Sequence, residues 1–304
     1  MKLYAPSYYK RFKCIADKCK SSCCVDWEID IDDTSYAKYA ALGSALTDSI
    51  CECDGVRCFA LSDDGRCPHL NRDGLCSIII NYGEEYLTDI CREHPRFYHL
   101  IGGRREVGIG LVCEEAARII ITDKEPFALC EIGECDISDG SSGTVALAER
   151  DAALAFLSNS DESAESVMIS LCREYSLDPD IHTLPEWLDI LAELEILDGE
   201  WEHIITDARN AAGADACDFC DGELKNLLAY FLFRHASLAT SPLNLRARIA
   251  FSILSVKIIR YLFERTETRS IDAFISIARL YSSEIEYSEE NTEQIIFELE
   301  SGMI

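Results

Sequence analysis

Thirteen of the chain's sixteen cysteines fall within its first 135 residues, and that crowding limits what the N-terminal part can be. They are Cys14, Cys19, Cys23, Cys24, Cys51, Cys53, Cys58, Cys67, Cys76, Cys91, Cys113, Cys130 and Cys135. Only Cys172, Cys217 and Cys220 lie beyond. Thiols used merely as small core residues would be spread along all 304 positions. Two arrangements gather them, a disulfide framework or a metal held by thiolates. The N-terminus, Met1 to Arg11, has no apolar stretch followed by a small-residue cleavage site, so it does not read as a secretory signal. The expected compartment is therefore cytoplasmic and reducing, and a chain with 48% apolar residues needs no staples. Metal ligation is the preferred reading, because thiolates are soft ligands that suit iron–sulfur clusters or zinc.

Charge narrows the partners. Fifty-five acidic residues against 28 basic ones leave a net charge of −27, which repels phosphate backbones and anionic lipid heads. Nucleic acid is not expected as a partner. Neither is a membrane, since no run of about 18 apolar residues occurs. A protein or peptide presenting lysine is the easier electrostatic match.

The pattern along the chain predicts a mainly α protein with three parts. Residues 1–125 form a cysteine-rich metal-cluster domain with a small β-hairpin, 126–143 a linker, and 144–304 an all-α helical domain. Thr34–Leu42 reads as a helix stopped by Gly43. Asp54-Gly55, Asp63-Asp64-Gly65 and Asp73-Gly74 mark turns. A helix is expected from about Gly83 through Cys91, ended by Pro95. Arg96–Ile101 and Arg104–Val112, joined by Gly102-Gly103, read as a hairpin, because both glycines tolerate positive φ. A helix then begins near Glu114, with two acids in its first turn. From Thr144 onward apolar residues recur with helical period, strongest at Leu224, Leu227, Leu228, Phe231 and Leu232 and again from Ile249 to Phe263.

Three constellations carry the candidate ligands. The first is Cys14-x4-Cys19-x3-Cys23-Cys24, four thiols within eleven residues and flanked by Lys10, Arg11, Lys13, Lys18 and Lys20, which favour thiolate. Adjacent Cys23 and Cys24 point opposite ways in extended chain. The second is Cys67-Pro68-His69, then Cys76, then Cys91-Arg92-Glu93-His94-Pro95-Arg96. The third is Cys113, placed where a strand meets a helix N-terminus. Cys19, Cys23, Cys67, Cys76 and Cys91 are the preferred ligands, with Cys14, Cys24 and Cys113 next. Cys217-x2-Cys220 reads as a pair of surface thiols, and Cys51, Cys53 and Cys58 as supernumerary. No Walker A loop, G-x-G-x-x-G, G-x-S-x-G or H-E-x-x-H occurs, and the C-x3-C-x2-C triplet is absent.

Taken in order, Phe12-x-Cys14-x4-Cys19-x3-Cys23-Cys24-x2-Trp27, Cys67-Pro68, Leu75-Cys76-x-Ile78, Gly83, Cys91-x2-His94-Pro95-Arg96 and Cys113-Glu114-Glu115-Ala116-Ala117-Arg118 resemble the flagellin lysine-N-methylases. More distantly, the first motif is similar to small zinc- or iron-chelating proteins. The chain has His94-Pro95-Arg96 where that family often has Tyr-Pro-Arg, and Cys113-Glu114-Glu115 where it has Cys-Pro-Glu. The resemblance implies a cytoplasmic enzyme that moves a methyl group from S-adenosylmethionine to lysine ε-amines of flagellin at a 4Fe–4S cluster. A cluster held by three thiolates keeps one iron open for the donor's amino and carboxylate groups, which accounts for the missing glycine-rich donor loop. Methyl transfer needs a neutral amine, and free lysine has a pKa of about 10.4. Trp27, Tyr8 and Tyr9 are candidates for an aromatic pocket, and Glu114 and Glu115 for proton acceptors. Arg96 and Arg118 are candidates for holding the cofactor. The alternative reading is a non-catalytic zinc- or iron-binding protein whose helical half binds a partner.

Overall fold

The computed structural model describes residues 1–53, 55–135, 144–178, 181–211 and 221–303. The Cys217–Cys220 pair and residues 136–143 of the expected 126–143 linker lie outside the described residues. In chain order the elements are β1 (Lys2–Pro6), α1 (Asp33–Leu42), α2 (Ser44–Thr47), β2 (Ile50–Cys53), β3 (Val56–Phe59), α3 (Ser77–Tyr82), α4 (Asp89–Glu93), β4 (Arg96–Ile101), β5 (Arg104–Ile109), α5 (Glu114–Ile121) and β6 (Leu129–Glu134). Helices follow: α6 (Thr144–Asn159), α7 (Ala164–Glu174), α8 (Leu184–Glu193), α9 (Gly199–Asn210), α10 (Asp221–His235), α11 (Pro242–Phe263), α12 (Ile271–Tyr281) and α13 (Glu289–Ser301). The chain is mainly helical, as its patterning predicts. Two compact units result, one of Lys13–Arg96 and one of Met1–Phe12 with Phe97–Ile304.

In the larger unit the expected hairpin is part of a four-stranded mixed sheet with order β4-β5-β1-β6. β1 runs parallel to β5, with Tyr4 opposite Glu106, and antiparallel to β6, with Ala5 opposite Cys130. β6 thus occupies part of the 126–143 segment read as linker. Five- and six-residue strands whose partners lie some 130 positions away carry no local turn signal, so the sequence pattern showed only the β4–β5 pair. Gly108 is required on β5, because a Cβ there would overlap the Phe97 ring. α11 is buried nearly all round, from Leu245 to Phe263, and is the axis against which α10, α12 and α13 pack. A helix apolar on every side must sit inside.

Two groups of buried charge in this unit are paired. Arg150 and Glu106, both fully buried, form a fork with N–O distances of 2.6 and 2.8 Å, and Arg104 also reaches Glu106. Glu286, buried, accepts from Tyr230 Oη at 3.0 Å, lies 2.7 Å from His235 Nε2 and pairs with Arg234. The Leu111 amide donates to the same Tyr230 oxygen, which fixes the turn from β5 into α5.

In the smaller unit, α1 starts with the Asp32 carboxylate accepting from the Ser35 amide (2.9 Å) and ends at Gly43, where φ is +100°. The helix expected from Gly83 to Cys91 is instead a single 3₁₀ turn, Glu84–Tyr86, followed by α4. Thr88 explains the break. Its hydroxyl accepts from the Cys91 amide (3.3 Å) and caps a new helix start, while Leu87 is extended. β2 and β3 form a second hairpin, with Cys51 opposite Cys58. The core of this unit is Ile29, Ile31, Tyr39, Leu46, Phe59, Cys67 and Ile78, and Cys24, Cys76 and Cys91 pack against it.

Candidate metal centre

Backbone pairings, not spacing, decide which thiols meet. The Cys67 amide donates to the Cys24 carbonyl (2.8 Å), and next to this pair Val25 bridges Arg66. The crossing depends on Gly65, whose φ is +71° and whose absent side chain leaves room for the Asp26 carboxylate. The chain then turns back on itself. The Leu70 amide donates to the Cys67 carbonyl, Leu70 bridges Cys76, and the Ser77 amide donates to the His69 carbonyl (2.8 Å). That return sets Cys76 at the start of α3. Cys91 arrives from the first turn of α4.

Cys67 and Cys91 each feel the charge of Cys24 and Cys76. Burial pushes the Cys67 thiol up to about 12, and Cys24, Cys91 and Cys76 push it the same way, against the pull of the His69 amide. Burial likewise pushes Cys91 up to about 11, with Cys24 and Cys76 adding and the Thr88 hydroxyl opposing. Cys24 moves the other way, to about 7. Its hydrogen bond with Cys23 leads, burial opposes, and Ser22 and Arg66 help. Tyr39, fully buried, donates its hydroxyl to the Tyr86 carbonyl (2.6 Å). Burial first, then the fields of Cys91, Asp32, Cys76 and Cys67, hold that phenol protonated. His69, between Cys67 and Cys76, packs edge-on against Phe59 and sits 2.9 Å from Ser49 Oγ. Burial lowers its pKa and keeps the ring neutral.

Chemically this is one readily formed thiolate, Cys24, beside two thiols, Cys67 and Cys91, that resist a second negative charge. A bound cation removes that resistance, because it favours the deprotonated ligand. Four cysteine sulfurs are the donor set of 4Fe–4S clusters and of structural zinc, so the residues fit either group in kind. Among the described residues, no three His, Cys, Asp or Glu side chains are gathered tightly enough to hold a metal ion. The four cysteines share one small core and do not form a closed coordination shell.

The other sequence candidates are placed as follows. Cys23 is exposed while Cys24 packs on the core, and because the pair lies in a turn and not in extended chain their side chains still hydrogen-bond to each other. Cys14 is exposed and its sulfur accepts from the Ala16 amide; Cys19 donates to the Ser21 carbonyl. Trp27 meets the His94 ring edge-on, centroids 5.6 Å apart, and Arg96 donates to the Arg92 carbonyl. Burial, with help from Arg96, pushes His94 down to about 4. Cys113 belongs to the larger unit, at the N-cap of α5. There Glu115 and Arg118, read separately as proton acceptor and cofactor holder, form a two-pronged ion pair with each other at 2.6 and 2.7 Å. That is the ordinary i, i+3 helix pairing. Tyr8 is buried, and burial raises its pKa far above the usual phenol range. Sequence reasoning missed Tyr39, and also Thr88, whose cap sets the position of Cys91. A threonine directly before the acid-led Asp89–Glu93 segment was the available signal.

Three curated proteins match the chain. The lysine-N-methylase of Salmonella typhimurium is 27% identical over 137 residues, which are 41% of this chain and 34% of that protein. The flagellar biosynthetic protein FliU of Salmonella muenchen is 27% identical over 137 residues, 41% of this chain and 80% of that protein. The chain is a distant relative of these proteins. A second lysine-N-methylase, from Salmonella choleraesuis, is 26% identical over the same share of each. The matched part therefore spans about a third of either lysine-N-methylase. No family model and no solved structure matches.

Proposed function

We propose that the chain is a protein lysine N-methyltransferase that acts on flagellin, with S-adenosylmethionine as donor and a 4Fe–4S cluster held by cysteines of the Lys13–Arg96 unit. What supports this reading is the packing of Cys24, Cys76 and Cys91 on the small core that contains Cys67 and Tyr39, in a chain distantly related to proteins named lysine-N-methylases. When bound, the cluster supplies a positively charged inorganic centre able to coordinate the donor. The protein's own residues do the rest. Cys24 would be the first sulfur ready to bind, Cys67 and Cys91 would give up their protons on ligation, and Cys76 would be the fourth sulfur. The Ile29, Ile31 and Phe59 wall excludes water on one side. The net charge of −27 favours approach of a lysine-bearing protein.

The test is methyl transfer. Protein reconstituted with iron and sulfide without oxygen is incubated with flagellin and S-adenosylmethionine carrying a labelled methyl group. Label on lysine ε-nitrogens, lost in Cys67→Ser and Cys76→Ser, supports the reading, and absence of transfer by brown, cluster-loaded protein refutes it. The second reading, a non-catalytic zinc-binding protein, rests on the same four thiols, which suit tetrahedral zinc equally well. A colourless protein holding one zinc would favour it.

A further inference from the structure

One cysteine pair stands apart from the four-thiol group. Cys51 on β2 and Cys58 on β3 face each other directly across the antiparallel ladder. Their sulfurs are 3.3 Å apart in a thiol–thiol hydrogen bond, and Cys51 Sγ also lies 3.6 Å from the Cys58 carbonyl. Both residues are in the thiol state. The two sulfurs are unequal in access. β3 is flanked on its other side by the extended segment at Ile29–Ile31, through Phe59 N to Ile29 O, Ile31 N to Arg57 O and the Asp30–Cys58 bridge. Cys58 is accordingly 2% exposed, whereas Cys51, on the outer strand, is half-buried.

We infer that Cys51 and Cys58 form a thiol–disulfide exchange site that takes a low-molecular-weight disulfide. Opposite residues of an antiparallel pair hold their Cβ atoms about 4.5–5.5 Å apart, and a disulfide needs about 3.5–4.5 Å with an S–S bond near 2.05 Å, so about 1 Å of approach closes it. The Cys51 thiolate attacks one sulfur of the small disulfide, forms a mixed disulfide and expels one small thiolate. Cys58 then loses its proton, attacks the Cys51 sulfur and expels the second small thiolate. The two protein thiols are oxidised to one disulfide, the small disulfide is reduced to two thiols, and the two protons lost by the protein end on those products. Closure staples the hairpin that carries Phe59, whose ring packs on Tyr39 and His69. The site is therefore placed to fix one wall of the four-thiol group according to the thiol poise around it.

The experiment uses the whole chain and oxidised glutathione as probe, followed by acid quench, alkylation and peptide mass mapping. The expected result is a Cys51–Cys58 cross-linked peptide lighter by two hydrogens, reversed by dithiothreitol, with slower amide exchange in Cys51–Phe59. Cys58→Ser accumulates the glutathione adduct on Cys51, and Cys51→Ser leaves Cys58 unmodified. Mapping on the unsubstituted protein decides the matter even if a variant does not fold. A glutathione adduct that persists on Cys51 in the unsubstituted protein, a link from Cys51 to another cysteine, or no reaction at Cys51 until urea is added would each overturn the inference.

Discussion

Filling the four-thiol group with a cation must expel protons, and the number expelled follows from the site. Cys67 and Cys91, with pKa values pushed to about 12 and about 11, are neutral throughout the range pH 6–9. A metal that binds their thiolates therefore releases two protons across that whole range. Cys24, near 7, adds a third below neutrality and almost none at pH 8. The logarithm of the apparent association constant rises with pH by the number of protons released, so affinity for a probe cation such as Co²⁺ climbs by at least about 100-fold per pH unit at pH 8, and more steeply at pH 6. The direction is fixed by the raised thiol pKa values: a higher pH lowers the cost of forming the thiolates, and the gain flattens only as pH nears the values of Cys67 and Cys91. Isothermal titration in buffers of different ionisation enthalpy counts the protons directly. Cys67→Ser and Cys91→Ser should each remove one proton from the count and weaken binding. A slope below one decade per pH unit between pH 6 and 9, or a proton count unchanged by both substitutions, would show that these sulfurs do not act as ligands.

Two further predictions concern the larger unit. Arg150→Met leaves the fully buried Glu106 carboxylate with only Arg104, so chemical denaturation should show a loss of about 3 kcal/mol, the low end for breaking a buried pair, and adding Glu106→Gln should recover part of it. A loss under about 1 kcal/mol would mean the pair is not held as described. His99 is buried among Phe97 and Phe233, its Nε2 has no hydrogen-bond partner among the described residues, and burial, with Arg150, Arg234 and His235, pushes its pKa down from 6.5 to about 3. The fold needs the neutral ring, so its contribution is complete above pH 6.5 and declines by about 1.4 kcal/mol for each unit below that, until pH nears 3. His99→Phe should flatten this acid limb of the stability profile, and an unchanged limb would contradict the assignment.

Elements announced by local chemistry were legible in the sequence. Gly43 stops α1, Gly102-Gly103 turns β4 into β5, and Glu114-Glu115 opens α5. Elements made by distant pairing were not. β1 and β6 find each other across more than a hundred residues, and each is too short to show a period of two. β2 carries thiols at alternate positions, a pattern that sequence reasoning assigned to cysteine supply and not to a strand. The site divides in the same way. Cysteine density marked the region, but the choice of partners rests on three crossings, Val25 with Arg66, Cys67 with Cys24 and Leu70 with Cys76, which no spacing encodes. Glu115 and Arg118 show the converse failure. Each suits a catalytic role by type, yet at i and i+3 on one helix face they satisfy each other first.

Charge acts on two scales in this molecule, and the scales favour opposite things. Over the whole chain the excess is strongly acidic, which resists accumulating more thiolate. Within the four-thiol group, the nearest influences decide. The hydrogen bond from the Cys23–Cys24 pair, the Ser22 hydroxyl and the Arg66 guanidinium make one sulfur acidic, while burial holds Cys67 and Cys91 neutral. A distant surface carboxylate is screened within about 8–10 Å at physiological salt, so the acidic surface governs encounter with a cationic partner and has little hold on the sulfurs beneath. Because a thiolate at Cys24 raises the cost of the next one at Cys67 or Cys91, the group cannot discharge itself stepwise in water. On the proposed reading it completes its ionisation against a positive centre, which is the behaviour a metal-binding role requires of it.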